Sequence, residues 1–182
     1  ASPQASEATL VRRLYLDLTG RLPTEEESLS YLDDNHANKR LALIERLLNS
    51  QPAIDYWTFQ FAKLLRIRSR PKDTRGAQVY HSWLRQQVQQ DTSYAEMTRR
   101  MLTSTGDSHE IGPANFFRSA EGPRARAEFV SELFMGVRLR CANCHNHPLD
   151  HWTKDDYHVL SAIFATLQFG QVFSIQVRAE VT

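Results

Sequence analysis

The chain has 182 residues, 41% of them hydrophobic, enough apolar side chain for a sizeable core, so it need not be a disulfide-stapled fold. Lysine plus arginine number 22 against 21 for aspartate plus glutamate, a formal net charge of +1, which leaves no general polycation to hold nucleic acid or an anionic membrane. No apolar run is long enough to span a bilayer, and no signal peptide is visible at Ala1.

The first eight residues are small and polar and read as a lead-in. Leu10, Leu14 and Leu18 recur every four positions beside Val11 and Tyr15, which predicts an amphipathic helix from about Ala5 to Leu18. Thr19-Gly20 stops it. Thr24 then caps a second helix, with Glu27 placed to complete a capping box. Leu41, Ile44, Leu47 and Leu48 form one side of a helix over residues 38–48. Ser50-Gln51-Pro52 marks the start of another, bearing Tyr56, Trp57, Phe59, Phe61, Leu64 and Leu65. Together they predict a helical hairpin packed by its large side chains.

Arg66, Arg68, Arg70, Lys72 and Arg75 around Pro71 make a basic stretch, read as a solvated loop or as a docking patch for carboxylates. A helix near Gln78 carries His81, Trp83, Leu84 and Val88, and Ser93 with Glu96 offers another capping box for one containing Met97, Met101 and Leu102. Residues 103–117, with Gly106, Gly112 and Pro113, lose the helical period and predict a long loop holding His109. Pro123 suits the first turn of a helix whose inward face is Phe129, Val130, Leu133, Phe134 and Val137. That helix carries Met135 and Gly136 and delivers Cys141 at or just past its end. Thr153 with Asp156 caps a last helix bearing Tyr157, Leu160, Ile163, Phe164 and Leu167. From Phe173 to Val181 apolar and polar residues alternate, the pattern of a half-buried strand. The expected fold is therefore mainly α, a multi-helix domain over residues 1–170. A C-terminal β-strand over 171–182 would open a following β-rich region or pair with an N-terminal segment.

The only two cysteines stand in Cys141-Ala142-Asn143-Cys144-His145. Two thiols three positions apart with an imidazole directly after the second form the c-type haem attachment pattern. Each thiol must reach one vinyl group on the same porphyrin edge, and the histidine must place a nitrogen on iron. The rival readings are a dithiol pair, two inert cysteines, or a zinc site using Cys141, Cys144, His145, His147, Asp150 and His151. Crowding into eleven residues argues against a closed zinc site, which commonly draws its second pair of ligands from further along the chain. With His145 as the proximal ligand, the distal candidates are Met101, Met135, His81 and His109, and an open distal face is a further alternative. Covalent haem implies export before attachment, so Ala1 is expected to be a processed or engineered start.

These blocks resemble the planctomycete-type cytochrome c family, domain of unknown function 1549. The resemblance rests on Arg12-Arg13-Leu14-Tyr15-Leu16-Asp17-Leu18-Thr19-Gly20-Arg21-Leu22-Pro23-Thr24, on Trp83 with Asp91 and Tyr94, and on Gly112-Pro113-Ala114-Asn115-Phe116-Phe117. It continues through Cys141 to Trp152 and into Asp155-Asp156-Tyr157, and so covers nearly the whole chain in order. It implies a mostly helical, exported (periplasmic) domain with one haem c, and roles beside the iron ligands for Asn115, His147, Asp150 and Trp152. His81 and His151 depart from the residues expected at those family positions. The leading expected function is electron transfer within a larger exported protein, to a redox partner protein or to adjoining domains of the same polypeptide. The alternatives are a haem-dependent oxidoreductase or small-ligand sensor with an open distal site, and a zinc-stabilised structural or interaction module.

Overall fold

Side-chain caps decide where most of the helices begin. In a computed structural model of the chain, which describes residues 5–69 and 73–167, Ser6 opens α1 (Glu7–Thr19) by accepting the Thr9 amide. Thr24 and Glu27 form the reciprocal capping box of α2 (Glu25–Asp33). After α3 (Lys39–Leu48), Ser50 opens α4 (Gln51–Leu64), Asp73 opens α5 (Thr74–Gln89) and Ser93 opens α6 (Tyr94–Thr103). Each of these three accepts an amide that the first helical turn cannot satisfy internally. A 3-10 helix follows over Gly112–Ser119, then α7 (Gly122–Val130), a π turn over Ser131–Met135, and a second 3-10 helix over Leu139–Asn143. The last element, α8 (Lys154–Ala165), starts from a capping box of Thr153 and Asp156. The stretch 103–117 predicted as loop thus runs into a 3-10 helix. The helix expected near Gln78 starts at Thr74, where Asp73 supplies the cap.

One expectation is corrected. Among the described residues there is no β-strand, so the fold class is helical rather than helical with a C-terminal strand; the alternating stretch from Phe173 to Val181 lies outside the described residues. A strand exists through hydrogen bonds to a neighbouring strand. Of the described N-terminal residues, Glu7–Thr19 form α1, whose backbone groups are bonded within the helix and offer no strand edge.

The chain divides into two compact units, Ala1–Ser119 and Ala120–Thr182. In the first, Val11, Tyr15, Tyr31, Leu43 and Leu47 are buried together, with Leu10, Leu14 and Leu18 packed against them. The corner between α1 and α2 is held by Arg21, whose two guanidinium nitrogens reach the two carboxylate oxygens of Glu27 at 2.8 and 2.6 Å. On α4 the inward positions are Ala53, Thr58 and Ala62, whereas Phe59 and Leu64, expected in the core, are 57% and 50% exposed. In the basic stretch Arg70 and Lys72 lie outside the described residues, and Arg75 donates to the His109 carbonyl at 3.2 Å. In the second unit α7 packs on α8, and the short 3-10 helix Leu139–Asn143 packs on both.

Candidate functional site

The approach to the cysteines is set by the end of the π turn. Gly136 sits at φ 69°, in the left-handed region, and its amide closes the turn on the Ser131 carbonyl. A Cβ there would meet nothing within 4 Å, so the backbone conformation, not close packing, calls for glycine. Leu139 and Ala142 then turn inward, both fully buried against Tyr157, with Val137, Trp152 and Leu160 around them.

This inward pair fixes where the thiols go. Side chains three apart on a 3-10 helix eclipse one another, so Leu139 and Ala142 share the buried side. Cys141 and Cys144, also three apart, share the outward side. Both are free thiols and both are exposed. The turn tightens through Cys144, whose amide reaches the Cys141 carbonyl at 3.3 Å, and His145 follows at once. Its Nδ1 lies 2.7 Å from the Asn146 carbonyl oxygen. A carbonyl only accepts, so Nδ1 carries the proton and Nε2 of the neutral ring carries the lone pair. That is the arrangement in which a histidine binds a metal through Nε2 while its other nitrogen is held by a backbone acceptor.

The loop after His145 is braced by short-range bonds. Asn146 Oδ1 accepts the Lys154 amide at 3.1 Å, and the His147 amide donates to the Trp152 carbonyl at 2.8 Å. His147 Nδ1 accepts the Leu149 amide at 3.3 Å, so its lone pair is engaged inside the loop. Asp150 Oδ1 takes both the amide and the ring Nδ1 of His151, each at 2.7 Å. The backbone bond from His151 is the main cause holding the Asp150 carboxyl below its ordinary range. Trp152 stacks on His151 with ring centres 4.9 Å apart, and its indole Nε1 is buried without a hydrogen-bond partner. Among the described residues no three of the histidines, cysteines, aspartates and glutamates are drawn together as a metal-binding group.

The four distal candidates fall in different settings. Met101 is buried in the first unit, where its sulfur accepts the Tyr80 hydroxyl at 3.1 Å; burial pushes that phenol well above its ordinary range, so it stays a donor. His81 is exposed on α5. His109 Nε2 lies 2.8 Å from Asp73 Oδ1. Met135, at the end of the π turn in the same unit as the cysteines, is 43% exposed.

Asn115 has work of its own in the first unit. Its Nδ2 donates to the carbonyls of Ser108 and Gly112 at 2.7 and 3.1 Å, and its Oδ1 accepts from Arg118 at 3.3 Å. Arg118 also pairs with Asp73 Oδ2 and donates to Ser108 Oγ at 2.7 Å. This cluster of Asp73, His109, Asn115 and Arg118 escapes sequence reasoning. The one local signal was an aspartate ahead of a helix, which marks a cap and not a partner 36 residues away.

A family model described as PSCyt2, protein of unknown function (DUF1549), matches residues 1–169. No curated protein and no solved structure gives a match.

Proposed function

The chain belongs to the DUF1549 family over residues 1–169, and from that premise we propose that it is an exported domain binding one haem c and passing single electrons. The observation that carries the reading is that one turn sets both free thiols on its outward side and places His145 directly after them. When bound, the haem supplies a one-electron iron couple whose potential answers to its axial ligands and hydrogen bonds. Cys141 and Cys144 would hold the group covalently. His145 would offer Nε2 to the iron, with the Asn146 carbonyl fixing the tautomer. Leu139, Ala142 and Tyr157 anchor the turn from behind, so the ligands sit on a packed base and not on a free loop.

The zinc-held alternative asks for four donors closed on one ion. His147 and Asp150 are instead occupied within their own loop, which ranks that reading below haem. The test is expression of the chain alongside a cytochrome c maturation system. One haem per chain that survives denaturation, cycling between oxidised and reduced forms, is the expected result. A correctly matured, intact chain without covalent haem overturns the proposal, and stoichiometric zinc on the same thiols promotes the rival.

Met135 is the distal ligand we favour, because a ligand from the same unit as Cys141 needs no particular arrangement of the two units. Met101 would have to leave its core position and give up Tyr80. A thioether on iron raises the potential, so Met135→Ala is expected to lower it and to convert a six-coordinate spectrum to a five-coordinate one. An unchanged spectrum moves the assignment to His81 or His109. A five-coordinate wild-type protein in both redox states favours small-ligand or oxidoreductase chemistry over electron transfer.

A further inference from the structure

We infer that Asn146 is the positioning residue of the axial histidine, its side chain clamping to the head of α8 the peptide that holds the His145 ring. This rests on the haem reading above and adds a tie between the imidazole and the base that carries the thiols. The capping box of α8 satisfies the amides of Thr153 and Asp156. The amide of Lys154, the first helical residue, has no carbonyl within the helix to bond. It donates instead to Asn146 Oδ1 at 3.1 Å, from eight residues upstream. An N–H demands an acceptor, so the oxygen and not the nitrogen of the Asn146 amide faces the helix.

The backbone carbonyl of the same residue accepts from His145 Nδ1 at 2.7 Å. That carbonyl shares a planar peptide unit with the His147 N–H, which donates to the Trp152 carbonyl at 2.8 Å. The acceptor of the ring is thus tethered on both sides of Thr153, once through the peptide and once through the side chain. A plane held by one bond can still tilt about it, and the second bond fixes where the carbonyl points. The helix in turn is buried through Tyr157 against Leu139 and Ala142, the inward side of the turn whose outward side bears the thiols. Asn146 therefore refers His145 and both cysteines to one packed base. A histidine whose Nδ1 proton has a fixed acceptor is the more basic ligand through Nε2, and a more basic axial nitrogen favours ferric iron.

The experiment reads the ring directly, in the haem-free full chain labelled with nitrogen-15 histidine, at a pH where the rings are neutral. The chain has seven histidines, and His145→Gln identifies the signal that matters. Wild type is expected to carry the proton on Nδ1. In Asn146→Ala the ratio of Nδ1-protonated to Nε2-protonated ring is expected to fall about fivefold, the scale of one net hydrogen bond. Asn146→Asp, which keeps an oxygen for the Lys154 amide, is expected to restore it. Thr153→Ala weakens the start of α8 through the capping box, and is expected to lower the melting point while the ratio holds. If Asn146→Ala does not fold, Asn146→Gln, whose longer arm misplaces the oxygen, takes its place. In the haem-loaded protein Asn146→Ala is expected to attach haem at the wild-type yield and to show a higher reduction potential. A ratio that Asn146→Ala leaves unchanged means that the backbone bond alone holds the ring, and overturns the inference. So does a ratio that Thr153→Ala lowers as far. A matured chain that takes no haem overturns both this inference and the function it rests on, whereas haem attached with an unmoved ratio removes this inference alone.

Discussion

Cys141→Ser and Cys144→Ser are each expected to remove most of the covalently attached haem, and the double substitution all of it, without loss of the fold. The two halves of that result come from the two sides of one turn. The thiols face outward and are exposed, so an oxygen in place of sulfur disturbs no packing. The inward side is another matter, because Ala142 is fully buried between Leu139 and Tyr157, and a larger side chain there would overpack at a cost of about 1–3 kcal/mol. Ala142→Leu therefore serves as the contrasting variant, expected to lower both stability and haem yield. His145→Ala is expected to keep a thioether-bound haem but to lose the axial nitrogen, seen as a change of spin state. Haem staining after denaturation reads attachment, and circular dichroism melting reads the fold. Full attachment in the double serine variant would sink the assignment, as would a melting point that falls as far as that of Ala142→Leu.

How much of this was legible in advance depended on whether the controlling interaction was local. The capping boxes at Thr24 and Thr153 are written in four consecutive residues, and both form; at Ser93 only the serine half forms, and the Glu96 carboxylate pairs with Arg99 and Arg100 instead. The winding at the cysteines was not legible: the helix expected to run from Pro123 past Val137 ends at Val130, and a π turn and a second 3-10 helix come before Cys144. On α4 the rule of large apolar residues inward fails, because small Ala53 and Ala62 take the inward positions and leave Phe59 and Leu64 outside. No composition argument distinguishes those faces. The alternating stretch near the C-terminus shows the opposite failure, a clear local pattern whose meaning depends on a partner strand that the described residues do not contain. The Asp73 cluster was invisible for a third reason: its members come from the head of α5, the loop before Gly112 and the first 3-10 helix, and only folding joins them.

Asp73→Ala is expected to destabilise the first unit by about 3 kcal/mol, the scale of removing one partner from a largely buried ion pair. Asp73 is only 18% exposed at its side chain and serves three donors at once: the Gly76 amide at the start of α5, the guanidinium of Arg118, and the ring of His109. Gly76 is held there by space, since a Cβ would meet Asn115 Oδ1 at 2.7 Å and an Arg118 nitrogen at 2.9 Å. Losing the carboxylate thus uncaps the helix and takes a counter-charge from Arg118, which in turn braces Asn115 and the carbonyls that Asn115 gathers. The dependence on pH follows from the same contacts. Burial alone would raise the carboxyl, but the Gly76 amide, Arg118 and His109 outweigh it and hold it at about 2, against an ordinary value of 3.8. The folded chain therefore releases this proton more readily than the unfolded one. Its contribution, about 2 kcal/mol at 1.36 kcal/mol per unit, is complete above the unfolded value and is lost as the pH falls from about 4 to about 2. Urea unfolding of the wild type across that window, followed by tryptophan fluorescence, should show the loss. Asp73→Asn, which keeps an oxygen for the Gly76 amide but has no charge to lose, should be less stable at neutral pH and flatter through the acid range. A change below about 0.5 kcal/mol in Asp73→Ala, the level of an ordinary surface substitution, or an acid slope that survives in Asp73→Asn, would show that the cluster decorates the surface and does not hold α5 to the loop.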